Sequence, residues 1–153
     1  MNSSNLKKFF NEFSDWYPLA HPRAPPQKGA YIIRKAGGKA FGRLRGKSDI
    51  LYIGKSEGKG GLKRRLSFYL RPGKTQWTSR RIHEMSKKYE MEIAWCPSSE
   101  PKNLEHKLLN KYLLDHDELP PLNHAGSKTL KKVLSETIGI SDSMDEKNMS
   151  CLK

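Results

Sequence analysis

The stretch ILYIGKSEGKGGLKRRLSF, from Ile50 to Phe68, decides how the rest of the chain is read. Ile50, Leu51, Tyr52 and Ile53 form a short apolar run that stops at Gly54, the pattern of a strand. A polar, glycine-rich loop follows. Leu62, Leu66, Tyr69 and Leu70 then return at helical spacing, which predicts a helix over about 61–70. A strand therefore hands the chain through a glycine loop to a helix carrying Lys63, Arg64 and Arg65. That layout suits phosphate chemistry. Gly54-Lys55-Ser56 looks like the end of a P-loop, but a P-loop needs a glycine five positions earlier so that its backbone N–H groups can wrap the phosphates. Asp49 stands there, and Phe41 stands in the equivalent place before Gly46-Lys47-Ser48. The P-loop is rejected.

The 153 residues suffice for one domain with one core. Hydrophobic residues make up 35% and charged residues 29%, so a modest core is expected. The formal net charge of +13 points to a polyanionic partner, nucleic acid first, with an acidic membrane surface or an acidic protein as rivals. Cys96 and Cys151 lack a CxxC or Cys/His spacing for zinc. Cys96 reads as a packed strand-end residue and Cys151 as a tail thiol. No apolar stretch has signal-peptide or membrane length, so a cytoplasmic location is expected.

In chain order, Leu6, Phe9, Phe10 and Phe13 predict a short amphipathic helix after Ser3-Ser4, which can cap it. His21 to Pro26 is an extended proline-rich linker, and the domain is expected to begin after residue 28. Gly29 to Lys35 reads as a strand with Tyr31 and Ile33 on one face. Ala36 to Ser48 reads as a flexible basic loop, either a solvated hairpin tip or a phosphate-gripping loop using Lys39, Arg43, Arg45 and Lys47. After the central stretch, Thr78 or Ser79 caps a helix with Ile82, Met85 and Tyr89 on its apolar face and His83 at the surface. Met91 to Cys96 is a third strand. Pro101 opens a helix to about Leu114. Residues 127–138 predict a last basic helix, and the chain beyond 141 is expected to be disordered. The order β-β-α-α-β-α implies an α+β domain over 29–125, a small three-stranded antiparallel sheet flanked by helices, with 126–153 outside it.

Glu105 carries the sharpest physical signal. On a helical wheel it lies among Leu104, Leu108, Leu109 and Tyr112, inside the apolar face. A carboxylate buried there needs a metal, an arginine or a polar cleft, or it takes up a proton. His106 falls on the opposite face and is expected in solvent. Arg65 falls between Phe68 and Tyr69 at the edge of the buried side, placed to reach into a cleft and grip a phosphate with its planar fork. Arg64 points away, and with Lys63 reads as a solvated or backbone-contacting charge. Tyr31 and Tyr52 sit on neighbouring strands, where aromatic residues usually serve the core.

Gly29-Ala30-Tyr31, Tyr52-Ile53-Gly54, the arginine helix, Glu105 and Asn123 follow one another in an order that resembles the GIY-YIG nucleases. The resemblance covers Gly29 to Asn123. The second tripeptide is present letter for letter, and the first has Ala30 for the usual isoleucine. The long loop at 36–48 is a further departure. The resemblance implies a Mg²⁺-dependent DNA endonuclease, with Mn²⁺ as a substitute. It makes Glu105 the metal ligand, Arg65 the catalytic arginine, and Tyr31 and Tyr52 active-site residues. It puts Lys55 and Tyr69 beside them and Asn123 as the residue that holds the site. A single carboxylate suits Mg²⁺, which keeps most of its waters. Lys55 is expected to supply the cation that lowers a tyrosine pKa. The rival class is a non-catalytic nucleic-acid-binding module of the same fold. A homodimer or a recruiting protein partner remains open, and no membrane role is expected.

Overall fold

The computed structural model describes residues 1–10 and 12–123. Its elements in order are α1 (Leu6–Phe9), β1 (Tyr17–Pro18), β2 (Gly29–Lys35), β3 (Phe41–Gly42), β4 (Lys47–Ser48), β5 (Ile50–Ser56), α2 (Gly61–Ser67), α3 (Trp77–Ser86), β6 (Met91–Pro97) and α4 (Pro101–His116). Strands β1, β6, β2 and β5 lie side by side in that order, all antiparallel, and β3 pairs with β4 in a separate hairpin. The fold is α+β, as expected. The sheet has a fourth strand that the sequence pattern did not predict. Tyr17 and Pro18 pair with Ile93 and Glu92, and a two-residue strand containing proline shows no alternation to read. The basic helix and tail expected over 126–153, with Cys151, lie outside the described residues.

Strand β2 is central and pairs with β5 and β6 along its length. Five of its seven residues are buried, which fits a strand covered on both sides. One cluster joins Tyr31 and Ile33 to Leu62, Leu66 and Tyr69 of the α2 region, Ile82 of α3 and Ile93 of β6. A register shift opposite Ile33 leaves Leu51 as an extra residue in β5. Leu51 and Tyr52 consequently both pack on this cluster, which strict alternation would forbid.

Strand β5 is an edge of the sheet, and its outer backbone groups find partners in the segment after α4. Leu122 N–H donates to the Leu51 carbonyl (3.0 Å). The Asn123 amide takes the Ile53 N–H (3.0 Å) and donates to the Ile53 carbonyl (2.9 Å). That side chain imitates a neighbouring strand, which protects the edge from other pairings.

Residues 1–28, expected as a helix and linker ahead of the domain, are built into the same unit as the sheet. Helix α1 has only four residues. Ser3, expected as a cap, is buried and its N–H donates to the Asp49 carboxylate (2.7 Å). Ser14 accepts from the Trp95 N–H (3.0 Å), and Leu6, Phe13 and Leu19 are buried. The placement of His106 is corrected too: it is buried rather than in solvent. The N-terminal residues cover the outer side of α4: His116 Nε2 lies 2.8 Å from the Met1 carbonyl, and Phe10 and Phe13 share a cleft with Leu104 and Lys107. A helix covered on two sides buries a wider face than its wheel predicts.

The loop over 36–48 is a docked hairpin. Its β3–β4 tip grips the C-terminal end of α4, where helix carbonyls lack intrahelical donors. Arg43 pairs with Glu118 and donates to the Leu119 carbonyl (2.6 Å). Arg45 donates to the Asp115 carbonyl (3.2 Å) and pairs with Asp117 (3.4 Å).

Candidate active site

Two glycines let the strands carry the tyrosines. Tyr31 stands directly opposite Gly54 in the β2–β5 ladder. A Cβ on Gly54 would meet the Tyr31 hydroxyl and ring at 2.6 Å and the Tyr52 ring at 2.7 Å. The missing side chain is what lets the Tyr31 ring lie across β5. Gly29 does the same for α2 at the start of β2: a Cβ there would meet the Cys96 carbonyl at 2.3 Å and Leu62 at 2.7 Å, so the helix sits close on the sheet.

Helix α2 begins where the proline-rich segment ends. Gly61, at φ +59°, approaches Gln27 so closely that a Cβ would lie 2.4 Å from its carbonyl oxygen. Leu62 N–H then donates to the Gln27 carbonyl (2.8 Å) and Lys63 N–H to the Pro25 carbonyl (2.9 Å). These amides are therefore engaged by the protein itself. The linker thereby sets where α2 starts and how Arg65 is aimed.

Tyr31, Tyr52, Arg65 and Tyr69 come together above this frame. The hydroxyls of Tyr31 and Tyr69 lie 2.6 Å apart. The Tyr31 ring centroid is 6.1 Å from that of Tyr52 and 6.0 Å from that of Tyr69. The Arg65 guanidinium stands 5.3 Å from the centroid of the Tyr69 ring and donates to Ser79 Oγ (2.9 Å). Tyr31 and Tyr69 are fully buried, while Tyr52 is partly exposed, the phenol of the three that solvent reaches. Burial holds all three phenols above their ordinary pKa, and Arg65 pulls each back down. Arg65 is thus the cation acting on the tyrosines. Lys55 was expected in that role, but it pairs with Glu57 and its field falls on Glu105.

Glu105 projects from the second turn of α4 with 8% of its surface exposed. Burial pushes its carboxyl up to about 7, with Lys55 and Lys102 pulling the other way and Glu57 adding to the rise. Its charge is felt by both Tyr31 and Tyr52, so it belongs to the same cluster. Among the described residues no hydrogen bond or ion pair holds this carboxylate. The arginine partner that stood as the alternative to a metal is absent among the described residues, since Arg65 turns to Ser79 and the tyrosines. Among the described residues no group of three or more acidic, histidine or cysteine side chains converges to hold a metal ion. A divalent cation bound here would take one protein carboxylate and fill its shell with water and substrate oxygens, the habit of Mg²⁺. A buried carboxylate with no partner among the described residues and a raised pKa fits that donor set.

Asn123 is tied to Ile53 rather than aimed at the tyrosines, so it acts on the site by fixing β5. Lys39, Lys47, Lys63 and Arg64 are exposed. Arg43 and Arg45 are engaged at the end of α4. Two residues escaped the sequence pattern. Ser79, expected as a cap, is buried inside α3 and orients Arg65. His83, expected at the surface, places Nδ1 2.6 Å from the Tyr69 carbonyl and fixes that turn. Both lie on the face of α3 that carries Ile82, which is the signal that would have found them.

Two clefts open nearby. One of about 340 Å³ is lined by Phe13, Cys96, Asn103 and Lys107 among others, and one of about 420 Å³ by Leu19, Tyr69, Leu70 and Met91 among others. Neither includes Glu105, Arg65 or Tyr52 in its lining. No helix among the described residues is long and apolar enough to cross a membrane. No protein-family model, curated protein or solved structure matches this chain.

Proposed function

We propose that this chain is a Mg²⁺-dependent DNA endonuclease of the GIY-YIG type, hydrolysing phosphodiester bonds. The observation that carries the reading is the convergence of Arg65, Tyr52 and the unpartnered carboxylate of Glu105 from three separate elements. A structural ion pair would have matched Glu105 with a cation. The net charge of +13 supports a nucleic-acid substrate.

Each residue has a role that its placement permits. Arg65, half-buried and steadied by Ser79, holds a non-bridging phosphate oxygen with its free N–H groups. Tyr52, partly exposed beside Arg65, takes the proton from the attacking water. Its raised pKa means that the phenol is neutral in the free protein, and the Arg65 guanidinium beside it is the group that lowers that pKa toward proton uptake. Tyr31 hydrogen-bonds Tyr69 behind it, and the pair keeps Tyr52 and Arg65 in register. Glu105 would hold the metal, which would supply charge stabilisation to the phosphoryl chemistry. Lys55 lies near Glu105 and draws its carboxyl toward the charged form.

The test is nicking of supercoiled plasmid with Mg²⁺, comparing wild type with Glu105→Ala and with EDTA as control. Wild type cuts; the variant and the EDTA reaction do not. DNA binding without cutting by wild type, on plasmid and on branched substrates alike, would instead indicate a non-catalytic binding module.

A further inference from the structure

Trp77 opens helix α3 with 76% of its surface exposed, the most exposed tryptophan of the chain. Trp77, Arg80 and Arg81 stand at i, i+3 and i+4, so they share one face of α3. The opposite face carries Ser79 and Ile82, both buried. The Arg80 guanidinium lies 6.0 Å from the centroid of the Trp77 ring and is oriented by a bond to the Lys74 carbonyl (3.0 Å). Lys74 and Arg81 are exposed alongside. Glu84, one turn on, is paired with Lys87 and leaves the patch basic.

We propose that this face of α3 is a stacking platform for an unpaired DNA base. An exposed indole ringed by cations suits a nucleobase, which offers a flat π-face with a phosphate on either side. Bases inside a duplex are stacked on each other and have no face to offer. The occupant is therefore a base in a single-stranded flap, bulge or frayed end. The platform is joined to the chemistry by one residue. Ser79, on the buried face of the same helix, bonds Arg65 directly (2.9 Å), so α3 carries the platform on one face and steadies the arginine from the other. The substrate class rests on the nuclease reading: DNA carrying unpaired nucleotides beside a duplex.

Binding and cutting separate the two ideas. Fluorescence anisotropy of labelled DNA in EDTA compares a blunt duplex with the same duplex bearing a single-stranded flap, for wild type, Trp77→Ala and Trp77→Phe. Wild type is expected to prefer the flapped form. Trp77→Ala loses that preference by roughly 5- to 150-fold, the range of one base–aromatic stack, and Trp77→Phe keeps most of it. Quenching of intrinsic fluorescence by single-stranded DNA is lost in Trp77→Phe although Trp16 and Trp95 remain. Equal affinity for both duplexes in wild type, or an unchanged preference in Trp77→Ala, overturns the platform. Preference that depends on Trp77 with no cleavage of the flapped DNA in Mg²⁺ upholds the platform and overturns the nuclease.

Discussion

Gly54 lies opposite Tyr31 in the β2–β5 ladder, and a Cβ there would stand 2.6 Å from the Tyr31 hydroxyl. The glycine is thus a vacancy shaped to a phenol rather than a flexible hinge. Gly54→Ala forces Tyr31 off β5 and with it the hydroxyl contact to Tyr69. Overpacking of this kind costs roughly 1–3 kcal/mol. Urea denaturation measures it, and an unchanged midpoint would mean that the ring has room to turn aside.

Asn123 acts as a one-residue strand on the edge of β5. Asn123→Ala leaves the Ile53 N–H and carbonyl unsatisfied or exposed to water, at a cost of roughly 1–3 kcal/mol. Hydrogen exchange at Ile53 accelerates while that of Ile32, inside β2, stays slow. Asn123→Asp keeps the acceptor and loses the donor, so it falls between the two. Cleavage should fall in step, because Tyr52 and Gly54 flank the freed residue.

Much of the frame was legible from local pattern. The runs at 29–35 and 50–53, the helix opened by Pro101 and the helix start at Gly61 all follow from periodicity and turn residues and form as expected, although β5 runs past Gly54 to Ser56. Glu105 was legible because a carboxylate among leucines contradicts its own face. What escaped depends on partners distant in sequence. The docking of the 36–48 hairpin on α4 needs carbonyls some seventy positions on. The burial of His106 follows from packing that its own helix wheel does not show. The division of labour between Lys55 and Arg65 depends on where each side chain finds its counter-charge, and both read alike as cations after a glycine loop.

Glu105 sets a pH dependence with a definite sign. Its folded-state carboxyl titrates near 7, above the ordinary 4.5. Between those values the folded chain binds more protons than the unfolded one, so stability falls as pH rises and levels off above about 7. Glu105→Gln removes this loss and raises the metal-free stability at pH 8 by up to about 3 kcal/mol. Thermal melts in EDTA at pH 5 and pH 8 check it: the gain appears at pH 8 and is small at pH 5. Divalent-cation affinity runs the other way, strengthening as the carboxyl ionises.

Ser79 should behave as a positioning residue. Ser79→Ala removes the bond that steadies the Arg65 guanidinium but leaves its charge. Nicking falls roughly tenfold, the loss expected for about 1.4 kcal/mol of misplacement, and DNA affinity hardly changes. Arg65→Ala abolishes nicking, and Arg65→Lys does not restore it, since an ammonium lacks the planar fork. Rescue by lysine would show that charge alone is needed.

The basic hairpin divides into cations that hold the fold and cations left for DNA. Arg43 is tied to Glu118 and the Leu119 carbonyl, and Lys39 and Lys47 are exposed. Arg43→Ala leaves a buried-side carboxylate and a carbonyl without their donor, and destabilises the chain by roughly 1–3 kcal/mol. Its effect on DNA affinity should be slight. The double change Lys39→Ala with Lys47→Ala does the reverse. Stability stays put, while the slope of log affinity against log salt flattens by about 0.9 for each lysine that touched a duplex phosphate. Denaturation curves and salt titrations on the same two variants check both halves. An unaltered slope would remove the hairpin from the DNA interface and leave Lys63, Arg64 and the basic face of α3 to carry it.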